Sequence, residues 1–116
     1  EVDLLYGIGA APEGVITATA VRALGGFFEG QLVFYDKEFE SRAQKMVGSD
    51  INKIWTANDL CTSDDTFFIA SGVCSGWVPG VRFVEDRAMV TSKIIFGGTG
   101  EVKLITNEYN LGGLDV

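Results

Sequence analysis

The pattern of the chain changes at Gly80, and this change constrains the fold more than any other feature of the sequence. Before Gly80, short apolar runs alternate with segments of helical spacing, whereas only strand-like runs follow it. Alternating strands and helices favour an α/β domain, and the trailing strands add antiparallel neighbours to its sheet. We therefore expect an α/β fold with a mixed sheet flanked by helices. A chain of 116 residues can bury one core, so we expect a single domain over residues 1–116.

Apolar spacing and the positions of glycine and proline predict the individual elements. Helices are expected at residues 12–24 and 37–47, with a short helical turn from Thr56 through Cys61. Strands are expected at residues 2–6, 31–35, 66–70, 81–84, 88–96 and 101–109. The last two strands form a hairpin around a glycine-rich turn. The helix at 12–24 is apolar on nearly every side, so we expect it to be buried on more than one side.

Composition excludes several classes of function. Sixteen acidic and nine basic residues give a net charge of −7, which disfavours nucleic acids and anionic membranes as partners. The chain has no histidine, so it cannot contain a Ser-His-Asp or Cys-His centre. Cys61 and Cys74 are too few for a disulfide framework, and we expect two buried free thiols in a cytoplasmic protein. The most apolar stretch, residues 66–78, is interrupted by serine and glycine, so no membrane span is expected.

A glycine-rich segment at residues 7–14 lies between the first predicted strand and the first predicted helix. Backbone N–H groups converge at such a junction and can hold an anion. One interpretation is a dinucleotide-binding turn, with Asp36 after the second strand as the acid that binds ribose. Pro12 argues against it, because it stands where the third glycine belongs and removes an N–H from the turn.

Glu13 is the acidic residue that allows two interpretations. As a carboxylate in the first turn of a helix, it stabilises the positive end of the helix dipole by up to about 1 kcal/mol. As a hard oxygen ligand at the carboxyl edge of a sheet, it could bind Mg²⁺ or Mn²⁺. A single carboxylate does not make a metal site, and the other acidic pairs fall in polar loops.

The segment Glu-Val-Asp-Leu-Leu-Tyr-Gly-Ile-Gly-Ala-Ala-Pro-Glu-Gly at residues 1–14 closely resembles the C-terminal part of class II (GlpX-type) fructose-1,6-bisphosphatases. Its last eight residues are similar to the family's Gly-Ile-Gly-Gly-Ala-Pro-Glu-Gly, which is the most specific part of the match. The resemblance continues in the same order with Arg-Ala-Leu-Gly at 22–25, Gly-Gln-Leu at 30–32, Lys-Met at 45–46, Asp-Ile-Asn-Lys at 50–53 and Ser-Gly-Val at 71–73.

The resemblance implies the C-terminal domain of the lithium-sensitive carbohydrate phosphatase fold. It also implies hydrolysis of fructose 1,6-bisphosphate, and in cyanobacterial members of sedoheptulose 1,7-bisphosphate, with Mg²⁺ or Mn²⁺, in gluconeogenesis or the Calvin cycle. Glu13 matches a metal-ligating glutamate of the family. Ala10 stands where the family has a substrate-contacting glycine, so a methyl group lies where the backbone approaches the sugar phosphate.

The family's other metal carboxylates and its basic phosphate-binding residues precede the segment that this chain resembles. We therefore expect a C-terminal domain or truncated form with no catalytic residue of its own, inactive alone, whose partner is an N-terminal phosphatase half or a second copy. A sugar bisphosphate would bind only in a complete enzyme. The alternative is a non-catalytic oligomerising or interaction module derived from the same family.

Overall fold

The computed structural model describes residues 3–48 and 50–112. The chain divides into two compact units. We call the first the helical unit; its described part is residues 3–22 and 26–62 without residue 49. The second is the sheet unit, with residues 23–25 and 63–112. Helices and sheets are both present, as the α/β class requires.

The first helix, α1 (Ala11–Ala23), confirms the prediction for residues 12–24. It ends where the sequence places glycine: Gly25 has a φ of 72°, and the N–H of Gly26 donates to the carbonyl of Val21 at 2.8 Å. This bond and the left-handed residue before it form a Schellman-type end.

The expectation that α1 is buried on more than one side is wrong. Ala18 is fully buried, but the side chains of Val15 and Ile16 are 41% and 55% exposed. Apolar side chains on this helix therefore remain open to solvent.

The predicted strand at residues 2–6 is wrong for its described part, and Val2 lies outside the described residues. Residues 4–10 have no regular secondary structure. Burying an apolar strand requires a neighbour that accepts its backbone hydrogen bonds, and no described strand pairs with this segment. The predicted mixed sheet requires at least one parallel pair of strands. All pairings between the described strands are antiparallel.

Two short strands complete the helical unit with two further helices. These are β1 (Glu29–Gln31), α2 (Lys37–Val47), β2 (Ile54–Thr56) and α3 (Ala57–Leu60). The strands pair antiparallel, with Gly30 opposite Trp55. Only Gln31 of β1 falls in the predicted strand at 31–35, and β2 was not predicted.

Local capping explains why α2 and α3 form as predicted. The Asp36 side chain accepts hydrogen bonds from the N–H groups of Glu38 and Phe39, both at 2.9 Å, and so caps α2. Thr56 and Asp59 form a reciprocal capping box at α3. No residue of α2 is buried, so its apolar face is open to solvent in this chain.

The sheet unit contains the four strands predicted for the second half of the chain. They are β3 (Phe67–Ser71), β4 (Arg82–Val84), β5 (Arg87–Phe96) and β6 (Val102–Asn110). Each of the other three pairs antiparallel with β5, so β5 is the centre of the sheet. The fully buried side chain of Ile95 lies on this strand. The predicted hairpin joins β5 to β6.

The irregular loop at residues 72–81 lies against β3 and β5 through Trp77. The Trp77 ring lies 6.3 Å from the ring of Phe68, and the Lys93 ammonium lies 4.1 Å from the centroid of the Trp77 ring. Gly72 is required near the start of the loop, because a Cβ there would lie 2.0 Å from the carbonyl oxygen of Pro79. The loop therefore closes on itself over β3 and β5.

Candidate functional site

Ala10 and Glu13 lie together at the N-terminus of α1. The N–H of Gly14 donates to the Ala10 carbonyl at 3.2 Å, so Ala10 occupies the capping position of the helix. Alanine has no side-chain acceptor, and Pro12 has no N–H, so the positive end of α1 has no cap from Ala10. The side chains of Ala10 and Glu13 are both exposed. The arrangement places one carboxylate in the first turn of α1, which is compatible with either interpretation of Glu13.

These residues do not form a metal site by themselves. Within residues 3–48 and 50–112, no three His, Cys, Asp or Glu side chains lie close enough together to hold a metal ion. Mg²⁺ needs near-octahedral oxygen coordination and usually takes one or two carboxylates with waters and substrate phosphates. Glu13 is one exposed donor of such a set, and the residues that the structure describes do not by themselves fit the cofactor.

The sheet unit has an open cleft of about 240 Å³ beside β4, β5 and β6. Its lining includes Glu85, Arg87 and Glu108. The Arg87 guanidinium is paired with the Glu108 carboxylate, so the one cation in the lining is already neutralised. The cleft is smaller than ordinary ligand pockets and offers no surplus positive charge for a phosphate.

A family profile described as "Bacterial fructose-1,6-bisphosphatase, glpX-encoded" matches residues 1–109. This chain belongs to the GlpX fructose-1,6-bisphosphatase family.

Similar proteins carry the name D-fructose 1,6-bisphosphatase class 2/sedoheptulose 1,7-bisphosphatase. Those of Prochlorococcus marinus strain MIT 9515 and of its subspecies pastoris, strain MED4, are each 43% identical, over 78% of this chain and 32% of the relative. The protein of Synechococcus sp. strain RCC307 is 42% identical, over 78% of this chain and 31% of the relative. This GlpX-family chain thus spans about a third of the length of the curated relatives that it matches.

The structure places the two predicted site residues of this GlpX-family chain in one turn, three residues apart, at the start of α1. Their roles in metal and substrate binding stay predictions. The expectation that the chain has no catalytic residue of its own also stays a prediction. Asp36, considered as a ribose-binding acid, instead caps α2.

The structure adds a polar contact that the sequence did not indicate. The Arg22 guanidinium donates from Nε to the Asn58 side-chain oxygen at 2.7 Å, which ties the end of α1 to α3. Its Nη1 lies 3.9 Å from the sulfur of Cys61. Asn58 and Cys61 lie 36 and 39 positions after Arg22 in the sequence, so no local pattern could have predicted these contacts.

Both cysteines are free thiols, as expected. Cys61 is buried, but Cys74 is exposed, so the expectation of burial is wrong for Cys74. Cys74 lies in the loop at residues 72–81, which covers the sheet with Trp77 and leaves the thiol facing outward. In the part of the chain that the structure describes, no helix has the length and hydropathy needed to cross a bilayer.

Proposed function

We propose that this chain is the C-terminal part of a divalent-metal-dependent fructose-1,6-bisphosphatase of the cytoplasm and is inactive alone. Family membership over residues 1–109 carries the proposal. The substrate would be a sugar bisphosphate, fructose 1,6-bisphosphate or sedoheptulose 1,7-bisphosphate, as the names of the relatives state for those proteins. The cofactor would be Mg²⁺ or Mn²⁺.

The lack of activity in isolation follows from the donor set. The described residues supply no group of three metal-binding side chains, and the chain's nine basic residues carry a smaller total charge than its sixteen acidic ones. A bisphosphate needs concentrated positive charge for binding. We therefore expect the purified chain to release no phosphate from fructose 1,6-bisphosphate with Mg²⁺ or Mn²⁺. Activity that disappears in a Glu13→Ala variant would contradict this, because a contaminating phosphatase would not respond to the substitution.

In the complete enzyme, Glu13 would supply one carboxylate to a metal site whose other ligands come from outside this chain. Glu13 lies in the first turn of α1, where the helix dipole favours a negative charge. Ala10 would lie beside the substrate with its methyl group in place of the family's glycine.

The test joins the upstream part of the Prochlorococcus marinus relative to this chain at the aligned position. Phosphate release from fructose 1,6-bisphosphate is then measured at limiting metal for the parent, Glu13→Gln and Glu38→Gln. Glu38 is the matched control, because it is an exposed first-turn glutamate of α2. We expect Glu13→Gln to abolish turnover and Glu38→Gln to retain it, with unchanged melting temperatures. Full turnover in Glu13→Gln would show that Glu13 is only a helix-start carboxylate.

A second candidate function, an oligomerising module, is favoured by the exposed apolar surface. Leu5, Tyr6, Phe27 and Met46 are each at least 80% exposed. Apolar surface of this kind on a monomer marks an interaction site. The isolated chain should therefore self-associate in sedimentation at roughly tens of micromolar, a concentration that detects weak interfaces. A purely monomeric boundary at that concentration would argue against this candidate.

A further inference from the structure

The outer side of β6 is the longest open strand edge among the described residues. This strand has nine residues and pairs with β5 alone. The other side of β5 is divided between β3, with five residues, and β4, with three, and the loop at residues 72–81 separates them in the sequence. Within the described part of the sheet unit, β6 is therefore the edge at which a further strand of ordinary length has room to pair.

Hydrogen bonds at the two ends of the β5–β6 hairpin show which backbone groups face this open edge. The N–H of Phe96 donates to the Glu101 carbonyl at 2.9 Å, and the N–H of Leu111 donates to the Asp86 carbonyl at 2.6 Å. Hydrogen-bonded pairs alternate along an antiparallel ladder with pairs whose backbone groups point away from the partner strand. The odd-numbered residues of β6 thus bond to β5. The residues whose N–H and C=O groups point to the open edge are Val102, Leu104, Thr106, Glu108 and Asn110.

Apolar side chains flank the open edge on both faces of the sheet. Val102 and Leu104, on one face, are 46% and 60% exposed, and Ile105 and Tyr109, on the other, are 41% and 51% exposed. The strand contains no proline or glycine that would interrupt pairing. Its backbone and its side chains therefore both suit a further strand, since cross-strand side-chain pairs are the contacts that stabilise a sheet.

The two charged residues of β6 distinguish between the ways in which copies of this strand can pair. In a parallel in-register stack, Lys103 would face Lys103 and Glu108 would face Glu108. In an antiparallel pair with a two-fold axis perpendicular to the sheet at Thr106, all nine residues find a partner. Lys103 then lies opposite Tyr109, and Glu108 lies opposite Leu104, so no like charges meet.

The neighbours of Glu108 and Lys103 within the chain agree with this arrangement. Glu108 is already paired with the Arg87 guanidinium, so its charge is compensated beside an apolar partner. The Lys103 ammonium already lies 5.4 Å from the centroid of the Phe96 ring, and a facing Tyr109 would add a second aromatic ring. The charge pattern thus disfavours an open-ended stack and permits a closed pair.

We infer that two copies of this chain associate through their β6 strands, antiparallel about Thr106, to form one continuous sheet. The interface is closed, because both copies use the same edge. The inference rests on the second candidate function, self-association, and names the surface that carries it. It does not depend on phosphatase activity.

The first test is residue-resolved amide hydrogen exchange of the unmodified chain at roughly 50 µM and 1 mM, a range that covers weak interfaces. We expect the amides of the even-numbered residues of β6 to slow at least about tenfold at the higher concentration. The odd-numbered amides, which are bonded to β5, should be slow at both concentrations and serve as the reference for folding.

Sedimentation of the same samples separates the outcomes. Slow even-numbered amides in a chain that sediments as a monomer overturn the inference, because the edge is then covered within one chain. Fast even-numbered amides in a chain that associates also overturn it, while they leave self-association itself standing. A chain that is monomeric at both concentrations contradicts the inference and the second candidate function together.

A matched pair of cysteine variants tests the register in a Cys74→Ser background, which removes the exposed thiol. Two facing Thr106 residues would have Cα atoms about 5.5 Å apart, within the range that a disulfide bridges. Two Tyr109 residues would lie about 20 Å apart along the same pair of strands.

Oxidised glutathione should therefore convert the Thr106→Cys variant to a covalent dimer at least about tenfold faster than the Tyr109→Cys variant, which is also exposed on β6. Equal rates would mean that the cross-links come from random collisions, and this outcome would overturn the pairing about Thr106.

Discussion

The two units of the chain differ in how their strands are paired. The buried apolar residues are similar in the two units: Ala18, Ile51, Ala57 and Cys61 in the described helical unit, and Ala23, Val78, Ala88 and Ile95 in the described sheet unit. In the sheet unit the central strand β5 pairs with three others, whereas in the helical unit the described strands β1 and β2 pair with each other. The sheet unit is thus tied together by long-range pairing, whereas the helical unit is organised mainly by local signals.

The difference shows that forming an element and burying it are separate steps. Asp36 and the Thr56–Asp59 box specify where α2 and α3 begin, and Gly25 specifies where α1 ends. None of these signals needs a distant partner. Helix stability in proteins comes mainly from tertiary packing of the apolar face, and the helical unit supplies little of it.

The largest expected effect is a loss of stability when a buried side chain of the sheet unit is truncated, compared with an exposed one of the helical unit. Ile95→Ala removes a fully buried side chain from the sheet unit and should lower the free energy of unfolding by about 2 to 5 kcal/mol. Ile16→Ala makes the same chemical change at a position that is 55% exposed on α1, so it should change stability by less than about 1 kcal/mol. Denaturant unfolding of both variants measures the contrast. Equal losses would mean that α1 is buried as deeply as β5.

A smaller change in stability tests whether the end of α1 depends on the left-handed conformation of Gly25. Gly25 has a φ of 72°, and an alanine there should cost about 1 to 2 kcal/mol because L-residues avoid this region. Gly14 lies within α1, where a Cβ would meet nothing within 4 Å, so Gly14→Ala should stabilise by about 0.5 to 1 kcal/mol. Helix content and thermal unfolding by circular dichroism should move in opposite directions for the two variants. The same sign for both would show that the Gly25 conformation is not needed.

The smallest effect concerns charge in the helical unit. The pKa of Asp59 is lowered from 3.8 to about 2, chiefly by the hydrogen bond from the Thr56 N–H, then by the bonds from the Lys53 ammonium and the Thr56 hydroxyl. The carboxylate lies 2.8 Å from that N–H and 3.1 Å from Lys53 Nζ. Because the folded pKa is depressed, this contribution to stability is complete above about pH 4 and is lost as the pH falls through 2.

An NMR titration of the side-chain carboxyl carbons checks this pKa. Lys53→Met should raise the Asp59 midpoint partway toward its ordinary value, because the Thr56 bonds remain. A midpoint near 3.8 in the unmodified chain would mean that the capping box does not persist in solution. The sheet unit has no part in this contact, so its hairpin amides should not respond in the same pH range.

Elements with signals inside their own sequence were predictable. Helices α1 and α2 were placed within a residue of their bounds, and the strands after Gly80 differ by one residue at most. Strand β2 was not predicted, and β1 was displaced, because each has three residues and depends on a partner about 25 positions away. No local pattern reports such a pairing.

The site was predictable only in its placement. That Ala10 and Glu13 share one turn follows from Pro12 and the helix start. Their roles could not be derived, because a metal site needs several oxygen ligands and this chain shows a single carboxylate there. The apolar run before α1 was interpreted as a buried strand, but its described residues form no strand, because an apolar run alone does not report whether a neighbour accepts its backbone hydrogen bonds.

The outermost strand has a consequence for handling the protein. Among the described strands, β6 pairs with β5 alone, and its nine residues are all exposed. Its other edge presents backbone donors and acceptors that a strand from another molecule could pair with, which is how edge-to-edge aggregation begins. Lys103 and Glu108 place charges within this strand, and such charges discourage in-register stacking. Lys103→Val would raise strand propensity but remove one of these charges, so we expect it to lower solubility.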